Sequence, residues 1–243
     1  MTIDWAVAIP CFLTALVEWV EAFTIVLAVS LSIGWRSAAG ASLAALATLA
    51  GLTAATGGVL QLGYALPWFQ YAIGVLLLLF GVRWLAKAVA RGAGIKKLHD
   101  EDEEFAETRE QLSHASRRAA WFIAYKGVFL EGLEVWLVVV ALSARSQHWT
   151  SGVGAALAAL LLTTAVGAAL HHPLRQVPEN LIKFCVGAML VSFGTFWVLE
   201  PFAEDAWGIG DFAIILLCAF YLLGGGLLIL AYKSFLSRQE ARA

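Results

Sequence analysis

The sequence predicts an all-α, polytopic membrane protein: seven transmembrane helices, arranged as a 3+3 inverted repeat plus one C-terminal helix. Three observations lead there. The first is composition. Of 243 residues, 60% are hydrophobic and only 14% are charged, and the mean hydropathy of +0.79 is far above that of a water-soluble domain. The second is a series of apolar segments, near residues 9–31, 38–60, 68–90, 119–142, 150–170, 180–200 and 209–233. Each is long enough to cross roughly 30 Å of hydrocarbon as a helix. Open strands are excluded there, because lipid cannot satisfy backbone N–H and C=O groups. The third is an internal repeat. Glu18 and Glu131 are 113 positions apart, and so are Glu21 and Glu134, Ser30 and Ser143, Gly74 and Gly187, Phe80 and Phe193, Gly81 and Gly194, and Trp84 and Trp197. A constant offset marks a repeated structural unit. Three spans per copy is an odd number, so the second copy enters the bilayer from the opposite side.

The elements follow in order. The start, MTIDWAVAIP, has no basic region and no small-residue cleavage site, so the first apolar run reads as a retained helix. Residues 1–90 form the first three-helix repeat, 91–118 a charged cytoplasmic loop, and 119–204 the second repeat. Residues 205–243 form an additional helix and tail. Small residues crowd the second and fifth spans, AAGASLAALATLAG and GVGAALAALLLTTAVGAAL, which permits close backbone approach. Basic residues set the direction. Lys87, Arg91, Lys96, Lys97, Arg109, Arg117 and Arg118 lie between the third and fourth spans. Arg36, Arg175, Lys183, Lys233, Arg238 and Arg242 fall on the same side, and Arg145 on the other. The positive-inside rule then predicts an N-terminus outside and a C-terminus in the cytoplasm of an inner or plasma membrane. Trp35, Trp68, Trp121, Trp149 and Trp207 sit near span ends, as an aromatic belt should.

The first and fourth spans hold the chemistry. Each carries two glutamates near its centre: Glu18 and Glu21 in EWVE, Glu131 and Glu134 in EGLE. A charge at a helix centre costs about 2.5–3.5 kcal/mol even on lenient scales. Four ionised carboxylates also repel one another, so they need protons or a shared cation. Residues three apart lie on one helix face, and the repeat symmetry turns both faces to one axis. The expected result is an oxygen-rich cage for a hard or borderline cation such as Mg²⁺, Ca²⁺, Mn²⁺ or iron. The structural alternative is protonated glutamates that only join helices by hydrogen bonds.

These motifs carry a family resemblance. EGLE at 131–134 and EWVE at 18–21 resemble the paired Arg-Glu-x-x-Glu motifs of the oxidase-dependent iron permeases, which also have seven spans with the motifs in the first and fourth. The resemblance implies metal contact by Glu18, Glu21, Glu131 and Glu134. The family's arginine position is Val17 in one copy and Leu130 in the other. The plan is also similar to that of the calcium/manganese–proton exchangers, whose two inverted halves each carry Glu-x-Gly-Asp. Here Glu21 and Glu134 stand for that Asp.

The functional expectation is a secondary transporter of metal cations, iron first and Mn²⁺ or Ca²⁺ as alternatives, with protons competing for the same carboxylates. It is expected to bind no permanent cofactor and to have no enzymatic activity. Its partners are the cation, protons and the lipid bilayer, with a homo-oligomer or accessory periplasmic or cytoplasmic proteins also open. A membrane metal sensor without flux is the rival reading. An intramembrane enzyme is disfavoured by the lack of a midplane histidine. No nucleic-acid signature occurs. The run His99, Asp100, Glu101, Asp102, Glu103 and Glu104 offers accessory cytoplasmic metal contacts, and Glu103, Glu107, Glu110 and His114 share a face if that segment is helical. The bland reading is a solvated charged loop. His171 and His172 read as polar end-caps. Glu200, Glu204, Asp205 and Asp211 read as an acidic outer mouth or the complement of the basic inner side. Cys11, Cys185 and Cys218 lie in apolar runs without a CxxC and read as small fillers.

Overall fold

The computed structural model describes residues 3–63, 67–96, 101–146, 148–170, 178–200 and 212–240. Their regular structure is helical: α1 (Trp5–Ile33), α2 (Trp35–Gly63), α3 (Pro67–Gly92), α4 (Glu101–Ser113), α5 (Arg117–Ser146), α6 (Trp149–Leu170), α7 (Glu179–Leu199) and α8 (Phe212–Glu240). Among the described residues, six helices (α1, α2, α3, α6, α7 and α8) are long and apolar enough to cross a membrane. The 30-residue α5 carries Arg117, Arg118 and Lys126 ahead of its two glutamates. The charged segment after α3 contains α4, whose Glu, Arg and Gln are good helix formers. Lys97, His99, Asp100, His171, His172, Arg175, Glu204, Asp205, Trp207, Asp211 and Arg242 lie outside the described residues, as do the side chains of Glu101, Asp102, Glu104, Arg145 and Arg238.

Local chemistry sets the helix ends. The Asp4 carboxylate accepts a hydrogen bond from the Ala6 N–H at 2.9 Å and caps α1, while its own N–H donates to Ser151 Oγ at 3.0 Å. Gly34 separates α1 from α2 with φ +84°. A side chain there would be strained, and the glycine lets its N–H reach back to the Ser30 carbonyl at 2.9 Å.

The chain divides into two compact units, each drawing helices from both predicted repeats. The first comprises Met1–Leu62 and Asp100–Val177. Here α1 packs on α4, α5 and α6. It runs antiparallel to α5, with Ile25 against Gly127 and Trp19 against Gly132. It runs parallel to α6, with Val7 against Gly152 and Phe23 against Gly167. Side chains link α5 to α2. Trp136, the repeat counterpart of Phe23, donates from Nε1 to Thr53 Oγ1 at 2.9 Å, and the hydroxyls of Tyr125 and Thr48 lie 3.0 Å apart. Arg117 donates from Nη2 to Ser37 Oγ at 2.9 Å.

The second unit comprises Gly63–His99 and Pro178–Ala243, with α3 and α7 antiparallel and α8 packed on both. Its glycines reveal how closely two backbones approach. A Cβ at Gly74 would stand 3.0 Å from the Val198 nitrogen, and one at Gly187 would stand 2.9 Å from the Leu85 nitrogen. A Cβ at Gly81 would stand 2.6 Å from the Val191 nitrogen, and one at Gly194 would stand 2.5 Å from the Leu78 nitrogen. Each pair maps onto the other when 113 is added to one residue and subtracted from its partner, the mark of a two-fold contact.

This fixes the sign of a substitution. Alanine in place of a helical glycine normally gains about 1 kcal/mol. At Gly81 and Gly194 the new methyl meets backbone, which cannot rotate away, and overpacking of that kind costs roughly 1–3 kcal/mol. Gly81→Ala and Gly194→Ala are expected to lower the thermal midpoint of the purified protein in micelles. Gly51→Ala, with open space around it, is expected to leave it unchanged or raise it. A scan of the three variants against the wild type checks this.

One end of the α3–α7 pair is ionic. Glu179 Oε1 accepts from Arg91 Nη1 at 2.8 Å and lies 3.1 Å from Lys183 Nζ. Lys183 also sits 5.3 Å from the centroid of the Trp84 ring. The sequence places Arg91 and Lys183 among the cytoplasmic basic residues, yet here they are only 6% and 4% exposed. Their helix positions explain the pairing: Arg91 is in the last turn of α3 and Glu179 in the first turn of α7, each complementing the local helix dipole.

Elsewhere apolar side chains face outwards. Leu161 on α6 and Phe220, Leu223 and Leu227 on α8 are largely exposed. Such apolar surface requires lipid rather than water around it.

Candidate metal centre

The site grows from two helix faces in the first unit. Helix α1 presents Glu18 and Glu21, and α5 presents Glu131 and Glu134. Helix α1 contains Pro10, two turns before Glu18, but no proline lies within or next to EWVE or EGLE, so both motifs are continuous helix and the i, i+3 spacing holds. Glu18 has no exposed surface, and Glu131 and Glu134 are half-buried.

Three of the four expected carboxylates come together. One carboxylate oxygen from each of Glu18, Glu131 and Glu134 lies within 4.8 Å of the other two. Glu21 is half-buried on α1 and stands outside this group. Among the described residues this is the only cluster of three or more such ligands. Glu103, Glu107, Glu110 and His114 are exposed and form no such group.

The dimensions suit one cation. Oxygens bind Mg²⁺ or Ca²⁺ at about 2.0–2.6 Å, so two on opposite sides of an ion stand roughly 4–5 Å apart. The same cluster without a cation is self-repelling. Negative charges brought this close repel one another, and a cation held between them relieves that repulsion.

Close helix approach makes the cluster possible. Gly132 lies between the two glutamates of α5, and a Cβ there would collide with Leu49 Cδ1 and come 3.1 Å from the Trp19 ring. The tryptophan of EWVE thus packs on the glycine of EGLE. Beside this contact is a cavity of about 300 Å³, lined by Trp19, Phe23, Trp35, Leu46, Val128 and Thr164 among others. No carboxylate lines it, and apart from Ser42 and Thr164 its walls are apolar side chains, a poor setting for a bare cation. The ion chemistry belongs to the glutamates.

Residues 59–231 match the family model described as ferrous iron uptake permease, iron-lead transporter, which takes in well over half of the chain. The chain belongs to the ferrous iron uptake permease family. No curated protein and no solved structure matches it. In this family member the match includes EGLE on α5 but begins after EWVE on α1. The first motif is reached through the 113-residue repeat and through its contact with the second. The positions that precede the two motifs differ in setting, Val17 being buried and Leu130 exposed.

Proposed function

We propose that this protein is a secondary transporter of metal cations, with iron the preferred cargo. The observation that carries the reading is the convergence of Glu18, Glu131 and Glu134 from two helices within 4.8 Å. Family membership supports iron as the first ion to test. Glu21, a turn further along α1, is the fourth carboxylate of the site and hands the ion to or from the other three. Seven spans cross the bilayer, α5 among them, with the N-terminus outside and the C-terminus in the cytoplasm. The reciprocal glycine contacts of α3 and α7 support an inverted repeat. Alternating access then requires α1 and α5, which bring ligands from the two repeats, to change their packing around the ion. Protons compete with metal for the same oxygens, so uptake falls as the pH on the loading side is lowered.

The test is flux of Fe²⁺ under anaerobic conditions, Mn²⁺ and Ca²⁺ into proteoliposomes, with and without a pH gradient. Saturable uptake of Fe²⁺ in preference to the others is expected. Preferred uptake of Mn²⁺ or Ca²⁺ replaces the cargo and keeps the mechanism. Metal binding with no flux of any of the three identifies a sensor and overturns the transporter reading.

A further inference from the structure

We propose that the Thr14 hydroxyl is an additional oxygen ligand of the transported cation, touching it directly or through one of its bound waters. The proposal rests on the carboxylate site above and extends it by one residue.

Helical hydroxyls in this protein normally turn back onto their own helix. Thr24 Oγ1 donates to the Val20 carbonyl at 3.0 Å, Thr53 Oγ1 to Leu49 at 2.8 Å and Ser192 Oγ to Ala188 at 2.6 Å. That local bond is the usual way to satisfy a hydroxyl in an apolar setting. Thr14 does not take it. Its side chain is 0% exposed and its Oγ1 has no hydrogen-bond partner among the described residues. A buried polar atom in that state calls for an explanation such as water or an ion.

Position supplies the explanation. Thr14 is four residues before Glu18, one turn away on the same face of α1. By the antiparallel register of Ile25 with Gly127 and Trp19 with Gly132, the residue of α5 at its level is close to Val138, which is apolar. The repeat does not require a hydroxyl there either, since the counterpart of Thr14 is Gly127. Thr163 on α6 is also buried without a partner among the described residues, but α6 brings no carboxylate. Among the described residues Thr14 offers a buried hydroxyl without a hydrogen-bond partner one helical turn from a member of the cluster, and a neutral oxygen there adds to the coordination of an ion that three carboxylates leave partly open.

The experiment compares wild type, Thr14→Val, Thr14→Ser and Glu134→Gln. Mn²⁺ and anaerobic Fe²⁺ binding are titrated calorimetrically in micelles, with thermal midpoints recorded without metal. Thr14→Val keeps the shape and removes the hydroxyl. It is expected to weaken binding about tenfold, while its metal-free midpoint stays level or rises, and Thr14→Ser is expected to recover most of the lost affinity. A Thr14→Val protein that binds as tightly as wild type while Glu134→Gln does not overturns the role of Thr14 and leaves the carboxylate site standing. A fall in the metal-free midpoint of Thr14→Val with no rescue by Thr14→Ser assigns a packing role and overturns the proposal too. Failure of the wild type to bind either metal overturns both readings.

Discussion

Replacing Glu134 with glutamine is expected to abolish saturable metal uptake while leaving the protein folded. The carboxylate of Glu134 lies within 4.8 Å of those of Glu18 and Glu131. Glutamine keeps the size and the hydrogen-bonding capacity of the side chain but removes its charge. Loss of groups that only orient metal ligands already costs 10–100-fold in affinity, roughly. A direct ligand costs at least that, so flux at low metal concentration falls on the order of 100-fold or more. Stability moves the other way. A neutral side chain relieves repulsion inside the cluster, so the metal-free variant unfolds at the wild-type temperature or above. Metal at a hundred times its dissociation constant stabilises the wild type by about 2.7 kcal/mol, and this increment vanishes in the variant. Glu18→Gln behaves alike. Glu21→Gln has the smaller effect, because Glu21 stands outside the three-carboxylate group. Glutamates that merely join helices predict the reverse pattern: normal flux in every glutamine variant. Uptake into proteoliposomes, paired with thermal scans with and without metal, separates the two.

Glu179→Gln is expected to cause a large loss of stability. Its carboxylate serves Arg91 at 2.8 Å and Lys183 at 3.1 Å, and all three side chains are 5–7% exposed. Without the negative charge, two buried cations face each other. Removing one partner of a buried ion pair costs roughly 3–5 kcal/mol, mostly from the charge left behind. The Trp84 ring near Lys183 offsets only a small part. If uncompensated charge is the cause, Lys183→Met in the Glu179→Gln background restores part of the lost stability. If the loss came from packing alone, the second substitution would deepen it. Thermal midpoints of the wild type, the single and the double variant in one detergent decide between these.

Much of this was legible in the chain. The helices were, because an apolar run in lipid has one way to satisfy its backbone. Their ends differ from the apolar runs by a few residues, since polar caps extend them: Asp4 starts α1 ahead of its apolar core. The motif residues were legible too, because a glutamate inside an oily helix is too costly to be incidental. The 113-residue offset was legible in pairs such as Gly74 with Gly187 and Gly81 with Gly194, but the backbone that each of these glycines meets across α3 and α7 was not.

Other features were not. Arg91 and Lys183 read as interfacial cations, since a positive residue near a span end ordinarily faces headgroups. The signal was present in the i, i+4 pair Glu179 and Lys183, but Arg91 is 88 positions away from Glu179 in sequence. Thr14 carries no sequence signal, because a threonine in a span nearly always bonds its own helix. The helical state of Glu101–Ser113 was left open by a charge run that suits either a helix or a solvated loop.

The sequence by itself determined the membrane class, the helices, the repeat offset and the glutamates, since each follows from local hydrophobicity or from the cost of charge in lipid. Tertiary structure alone decided that Glu18 joins Glu131 and Glu134 while Glu21 stands aside. Spacing along a helix fixes only the face on which a side chain lies. Which carboxylates meet depends on the register and crossing of two helices more than a hundred residues apart, and here these are set by Trp19 seated on Gly132.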